Sequence, residues 1–355
     1  MNKSPNKLKP RLFKTDPETG RLTYKSAALI FSLFGFFAFT MTFVVECAKW
    51  VVSFVFNTVW LITEAFPIFG GVMKIFEHFA FNDVSGIFII YCIALPLALP
   101  AVLFLPRIKI KKGKLSFLQF IIGFCICMGL MTVGSNVSNA FFSILSSFLP
   151  IVNTSNPVET AVTSAPWWFS FITVVIIAPI FEEIIFRKLL CDRLCAVGEG
   201  FAIMLSAVFF GVFHGNFSQV FYAFLIGAFL AFVYVKTGKL RYTIMYHMAV
   251  NFIGGILTPM LAGMINEEAL MSPETTKALI ALIPLVLFFM LEGAILTISA
   301  IGIAMIIAKR RELFLSIKNG PLLAPKNWPN ALIFNAGIIA AIAMTVIRMT
   351  GSILG

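Results

Sequence analysis

The hydrophobic positions of this sequence form long continuous runs, separated by short basic or polar stretches. An apolar run of about 18 residues can cross a hydrocarbon core about 30 Å thick as a helix. Continuous runs exclude the alternating pattern of a membrane β-barrel, and a helix satisfies its own backbone in lipid. We therefore predict an all-α fold, a polytopic transmembrane helical bundle of about nine membrane helices, within the range eight to ten. The predicted spans are 27–45, 87–105, 117–133, 167–186, 201–215, 219–235, 242–262, 279–308 and 331–347.

Composition and charge agree with a membrane protein. Hydrophobic residues make up 59% of the 355 residues and charged residues 12%, and the mean hydropathy is +0.96. Soluble domains carry about a quarter charged residues. The net charge of +11 does not indicate nucleic-acid binding, because the basic residues lie in short loops beside apolar runs. With the N-terminus inside, nine spans place 23 of the 27 Lys and Arg residues on the cytoplasmic side, so a cytoplasmic N-terminus is predicted.

The order of spans and loops predicts four segments. Between the early spans, Lys49 to Ala80 is aromatic and apolar but is broken by Glu64 and Pro67, and it predicts an interfacial helix or a re-entrant pair. The stretch from Ser135 to Pro166 is rich in Ser, Asn, Thr and Pro, and it predicts an outer loop. The segments are a basic cytoplasmic tail (1–25), N-terminal membrane helices with outer loops (26–165), the helices with the candidate catalytic residues (166–262) and C-terminal membrane helices (263–355).

Few ionisable side chains fall inside the apolar runs, and these are candidate functional residues because a charge in the bilayer costs several kcal/mol. Glu183 and Arg187 are four residues apart, so they share a helical face and can form an ion pair. The neighbouring Glu182 points about 100° away from them, which leaves it available as a general base. The alternative is that these charges only mark the cytoplasmic end of a helix.

Two of the three histidines, His214 and His247, lie in apolar helices. Phe210 shares a helical face with His214 at a spacing of four residues, and Asn251 shares one with His247 at the same spacing. Polar side chains on successive membrane helices predict one shared site. The alternative is that each histidine is a packing residue whose hydrogen bonds are satisfied locally.

The depth of this site follows from counting residues along the helices. In an antiparallel hairpin that turns at 197–200, Glu183 and His214 both lie roughly 23 Å from the turn. His247 lies about 14 Å beyond Gly238. It is therefore at the same depth in the membrane as Glu183 and His214 when the hairpin projects some 9 Å into the cytosol. We therefore expect a membrane-embedded site nearer the cytoplasmic face.

Three motifs follow one another along these helices: EExxxR at 182–187, FxxxH at 210–214 and HxxxN at 247–251. Together they resemble the signature motifs of the CPBP family, which unites CAAX prenyl endopeptidases with bacteriocin-processing or immunity (Abi) proteins. The resemblance covers residues 178–252. It implies an intramembrane endopeptidase of the bacterial plasma membrane with a membrane-associated peptide or protein as substrate; a lipid-modified peptide and a leader peptide are two of the options that the resemblance leaves open.

The resemblance also implies residue roles. A carboxylate and an imidazole activate a water molecule, and imidazole and amide N–H groups stabilise the oxyanion, as general acid–base chemistry requires. No cofactor is predicted, because an asparagine is a poor zinc ligand; the alternative is a metalloprotease with zinc on Glu182, His214 and His247. The predicted catalytic residues are Glu182, His214, His247 and Asn251, and the supporting residues are Glu183, Arg187 and Phe210.

Two other functions fit the same sequence. In a non-catalytic immunity factor or scaffold, the polar cluster would hold the helices together through buried hydrogen bonds. The third hypothesis is a transporter, because Glu292 lies in an apolar helix and Pro96, Pro100 and Pro284 could break helices. The sequence has no internal repeat, which argues against it. The motifs HExxH, GxSG and GxGD are absent from the sequence, which excludes those protease chemistries. Expected partners are membrane lipid and a peptide, with no nucleic acid.

Overall fold

The protein is all-helical, and no strand occurs in the residues that the structure describes, which confirms the predicted fold class. The structure is a computed structural model that describes residues 23–65, 89–103, 105, 107, 109–149, 166–195, 198–317 and 335–354. The helices are α1 (Tyr24–Ala65), α2 (Ile89–Leu103), α3 (Phe117–Phe148), α4 (Trp167–Leu194), α5 (Glu199–Phe213), α6 (Phe217–Thr237), α7 (Leu240–Gly263), α8 (Glu267–Leu270), α9 (Thr275–Ser316) and α10 (Ala336–Leu354).

Each of the nine predicted spans overlaps one of these helices; residues 87, 88, 104 and 331–334 of two spans lie outside the described ranges. Within the described ranges, six helices are long and apolar enough to cross a membrane: α1, α3, α4, α6, α7 and α9. The apolar parts of α2, α5 and α10 are shorter. The number of crossings and the cytoplasmic position of the N-terminus therefore stay predictions.

Two helices extend beyond their predicted spans. The prediction of an outer loop from Ser135 was wrong up to Phe148, because α3 continues that far; residues 150–165 lie outside the described ranges. Three polar side chains there, those of Asn136, Ser146 and Ser147, bond to carbonyls of their own helix; Asn136 does so to Thr132 O at 2.8 Å. Likewise α1 runs on without a turn to Ala65, so residues 49–65 do not form a separate helix, whereas residues 66–80 lie outside the described ranges.

The described residues belong to two compact units. The first contains α1, α2, residues 189–205 and most of α10. In it, Arg348 forms an ion pair with Glu46 at 3.3 Å, and buried Arg193 donates to Val102 O at 2.7 Å. These contacts join α10 to α1 and residues 189–205 to α2.

The second unit contains α3, residues 166–188 and 206–213, α6, α7, α8 and α9. Helix α3 packs closely on α9, where a Cβ added at Gly302 would meet the backbone of Cys125, and Thr132 and Ser299 share a hydroxyl hydrogen bond of 2.8 Å. Helix α7 packs on α3 through Tyr246, whose hydroxyl donates to a backbone carbonyl. All seven predicted site residues belong to this unit.

Helices α2, α4 and α7 each contain a π-helical segment that ends two residues before a proline, and α4 contains a second one, Ile184–Cys191, that no proline follows. The segments are Ile89–Ala94 before Pro96, Phe171–Ile177 before Pro179, and Ile253–Leu257 before Pro259. A proline has no N–H and its ring clashes with the carbonyl four residues earlier, and a wider turn relieves that clash. In α4 and α7 the widened turns lie beside the predicted site residues.

Candidate functional site

Glu183 and Arg187 form a fully buried ion pair on α4, as the spacing of four residues predicted. Arg187 Nε donates to Glu183 Oε2 at 2.9 Å, and its Nη2 donates to Oε1 at 3.3 Å. Its Nη1 donates to Ser206 Oγ on α5 at 2.7 Å, and the Ser206 hydroxyl donates to Phe186 O. A buried guanidinium needs this many partners, because an unpaired buried charge costs several kcal/mol.

His247 on α7 lies between the two neighbouring glutamates of α4. Its Nδ1 is 3.2 Å from Glu183 Oε1, and its Nε2 is 3.7 Å from Glu182 Oε2. His247 and Glu182 are both buried. An ionised carboxylate only accepts hydrogen bonds, so Nδ1 carries the proton and the Nε2 edge of the ring faces Glu182.

His214 lies immediately beyond the last residue of α5 and is half-buried. Its Nδ1 is 2.8 Å from Phe210 O; since a carbonyl only accepts, Nδ1 is the donor, and in a neutral ring Nε2 would then be the acceptor. The Phe210 ring contacts both histidine rings, with centroid separations of 5.2 Å to His214 and 5.4 Å to His247. The Arg187 guanidinium lies 4.9 Å from the centre of the same ring.

Asn251 bonds to the π-helical segment of α4, where its Nδ2 donates to Val174 O at 2.9 Å. The helix supplies no donor to that carbonyl: the Ala178 N–H bonds to Thr173 O instead, and Pro179, the next candidate, has no N–H. A carbonyl that is partly shielded from solvent in a helix this apolar requires a donor, and the asparagine amide provides one. The amide nitrogen has a second hydrogen that this bond does not use.

The structure therefore brings most of the predicted residues into contact. Glu182, Glu183, Arg187, Phe210 and His247 form one connected group, and His214 joins it through the Phe210 ring. Asn251 is joined to α4 at Val174 rather than at the glutamates.

The sequence reasoning did not single out Ser206 or Pro179. A lone serine in the apolar run of α5 and a proline within a membrane helix were the available signals. Among the described residues, no three His, Cys, Asp or Glu side chains are grouped so that they could hold a metal ion. The absence of a cofactor and the alternative zinc site on Glu182, His214 and His247 both stay predictions.

Comparison with known proteins gives one family match. The sequence model of the family "Type II CAAX prenyl endopeptidase Rce1-like" matches residues 164–253, a segment that contains all seven predicted site residues. This match confirms the family resemblance that the three motifs predicted. No curated protein and no solved structure matches the chain.

Proposed function

We propose that the chain is an intramembrane endopeptidase, on the premise that residues 164–253 are similar to the Rce1-like type II CAAX prenyl endopeptidases. The observation that carries the proposal is the position of His247, with Nδ1 at 3.2 Å from Glu183 and Nε2 at 3.7 Å from Glu182. These residues lie in α4 and α7, which are long and apolar enough to cross a membrane. Ionisable groups are costly there and are retained for function.

Glu182 is the general base in this proposal, with His214 as its partner. Both the carboxylate and His214 Nε2 accept hydrogen bonds, so a water held by both presents a lone pair to the substrate carbonyl carbon. As the water oxygen bonds to the carbonyl carbon, Glu182 takes a proton from the water. When the tetrahedral intermediate collapses, the C–N bond breaks and Glu182 returns the proton to the leaving amine.

His247 and Asn251 stabilise the oxyanion in the same scheme. With Nδ1–H donated to Glu183, a protonated His247 offers its Nε2–H to the developing negative charge. The Asn251 hydrogen that is not bonded to Val174 O supplies a second donor.

The substrate is a membrane-proximal peptide or protein, either lipid-modified or a leader peptide, and the site lies in the cytoplasmic half of the membrane. The test is an assay of the purified protein in lipid nanodiscs with a library of farnesyl-cysteine peptides, leader peptides and unmodified peptides, analysed by mass spectrometry. We expect cleavage of at least one class, which Glu182→Gln abolishes. The matched control Glu268→Gln, on the exposed short helix α8, keeps the activity. No cleavage of any class overturns the proposal.

A second candidate is a non-catalytic immunity factor or scaffold. The contacts from Arg187 to Ser206 and from Asn251 to Val174 favour it, because they join α4 to α5 and α7 as a structural polar cluster would. In that case Glu182→Gln lowers stability, and the wild type cleaves no peptide.

A further inference from the structure

The turn between α5 and α6 consists of His214, Gly215 and Asn216. Gly215 adopts a φ of 69°, in the left-handed region that favours glycine, and the chain reverses there. Asn216 follows with extended backbone and is the N-cap of α6. The candidate water-binding histidine is thus separated by one residue from the cap of the next helix.

Asn216 is buried and makes four hydrogen bonds with its side chain. Its Oδ1 accepts from Gln219 N at 3.0 Å and from Ser218 Oγ at 2.7 Å. Its Nδ2 donates to Gln219 Oε1 at 2.8 Å and to His214 O at 3.1 Å. An asparagine amide offers two donors and an oxygen with two lone pairs, so its whole bonding capacity is used.

Helix capping explains only half of these bonds. An N-cap needs an acceptor for the first N–H groups of its helix, and Ser, Thr or Asp supply one as well as Asn. The donor half of Asn216 is directed elsewhere, and one of its bonds returns to the carbonyl of His214. His214 lies at a helix terminus, where backbone groups lack helical partners and the last turn frays.

We propose that Asn216 is a positioning residue that fixes the orientation and the tautomer of His214. The Asn216 amide holds the His214 peptide from one side, and the imidazole is held by its bond from Nδ1 to Phe210 O on the other. The bond to Phe210 O selects the tautomer with the proton on Nδ1, and the bond from Asn216 holds the backbone from which the ring reaches that carbonyl. The effect on catalysis rests on the proposed function, whereas the effect on the tautomer does not.

Histidine ¹⁵N NMR spectroscopy of the protein in nanodiscs tests this directly, because it distinguishes the two tautomers. The chain has three histidines, and the variants His78→Gln and His247→Gln identify which signals belong to His214. The test variant is Asn216→Asp, which has the same size and keeps both acceptor bonds but loses both donors. The matched control is Asn266→Asp, since Asn266 caps α8 with its Oδ1 on Ala269 N and is exposed. Asn216→Ser, which keeps a capping oxygen and has no amide, repeats the test if the aspartate variant does not fold.

We expect wild type and Asn266→Asp to give the spectrum of a His214 ring protonated at Nδ1. Asn216→Asp or Asn216→Ser should give a mixture of tautomers and lower kcat by about 10-fold to 100-fold, with KM within about twofold. An unchanged His214 spectrum in the folded variant overturns the proposal. If the wild type cleaves no peptide, the proposed function fails, and the spectroscopic comparison still decides the role of Asn216.

Discussion

The side-chain amide of Asn251 donates to the backbone carbonyl of Val174 at 2.9 Å, and that carbonyl lacks a helical donor because Pro179 has no N–H. A proline in one membrane helix thus creates the acceptor that orients a candidate oxyanion donor on another. The π-helical turn before Pro179 is therefore part of the site.

Pro179→Ala tests this relationship. The alanine N–H gives Val174 O a backbone donor and allows the turn to tighten, so Asn251 loses its fixed orientation. We expect the rate of peptide cleavage to fall about 10-fold, with equal or greater thermal stability. The matched control is Pro284→Ala in α9, where the proline lies within an α-helical stretch. Equal cleavage rates in the two variants would contradict the role of Pro179.

Ser206→Ala removes the hydroxyl that accepts from Arg187 Nη1 at 2.7 Å. A buried donor without a partner costs about 1–3 kcal/mol, so the free energy of unfolding should fall by that amount. Chemical unfolding in detergent measures the change. Ser147→Ala, at an exposed position of α3, should leave stability within about 0.5 kcal/mol of the wild type. A Ser206 variant as stable as this control would show that the hydrogen bond does not stabilise the ion pair.

A double variant separates two proposed roles of Glu183 and Arg187: stabilising the fold as an ion pair, and providing the acceptor for His247 Nδ1. Arg187→Met alone leaves a buried carboxylate without its partner, and we expect a loss of about 3–5 kcal/mol of stability. Replacing both residues by methionine should recover most of that loss, because apolar pairs substitute well for buried ion pairs. The double variant should still be inactive, since His247 Nδ1 has lost its acceptor. Recovery of cleavage along with stability would assign the pair a structural role only.

Metal removal separates the two chemical schemes. In the scheme without metal, dialysis against a millimolar chelator leaves the cleavage rate unchanged, because Glu182 alone takes the proton of the water. Loss of activity that added Zn²⁺ restores would favour the zinc alternative with Glu182, His214 and His247. We would measure the cleavage rate before dialysis, after dialysis and after addition of Zn²⁺.

The sequence predicted those features that depend on short spacings within one helix. The apolar runs located the helices, and the spacing of Glu183 and Arg187 predicted their ion pair. The bonds from Arg187 to Ser206 and from Asn251 to Val174 could not be predicted, because each joins residues on different helices. The packing of helices against one another determines such pairs, and the hydrophobic periodicity of the sequence carries no information on that packing.

The wrong loop prediction also has a physical cause. Ser, Asn and Thr after Ser135 are typical of a loop when only their polarity is considered. In α3, Asn136, Ser146 and Ser147 bond to carbonyls three or four residues earlier, so the polarity of these three side chains is satisfied within the helix. Sequence composition does not distinguish these two uses of a hydroxyl.

We propose above all that Glu182 activates the water that it holds together with His214. The most direct measurement is single-turnover cleavage of a peptide substrate in nanodiscs made with H₂¹⁸O, comparing the wild type with Glu182→Gln. We predict one ¹⁸O atom in the new carboxylate with the wild type, and a rate about 10²-fold to 10⁴-fold lower with a folded Glu182→Gln variant. Cleavage by Glu182→Gln at the wild-type rate would contradict the account.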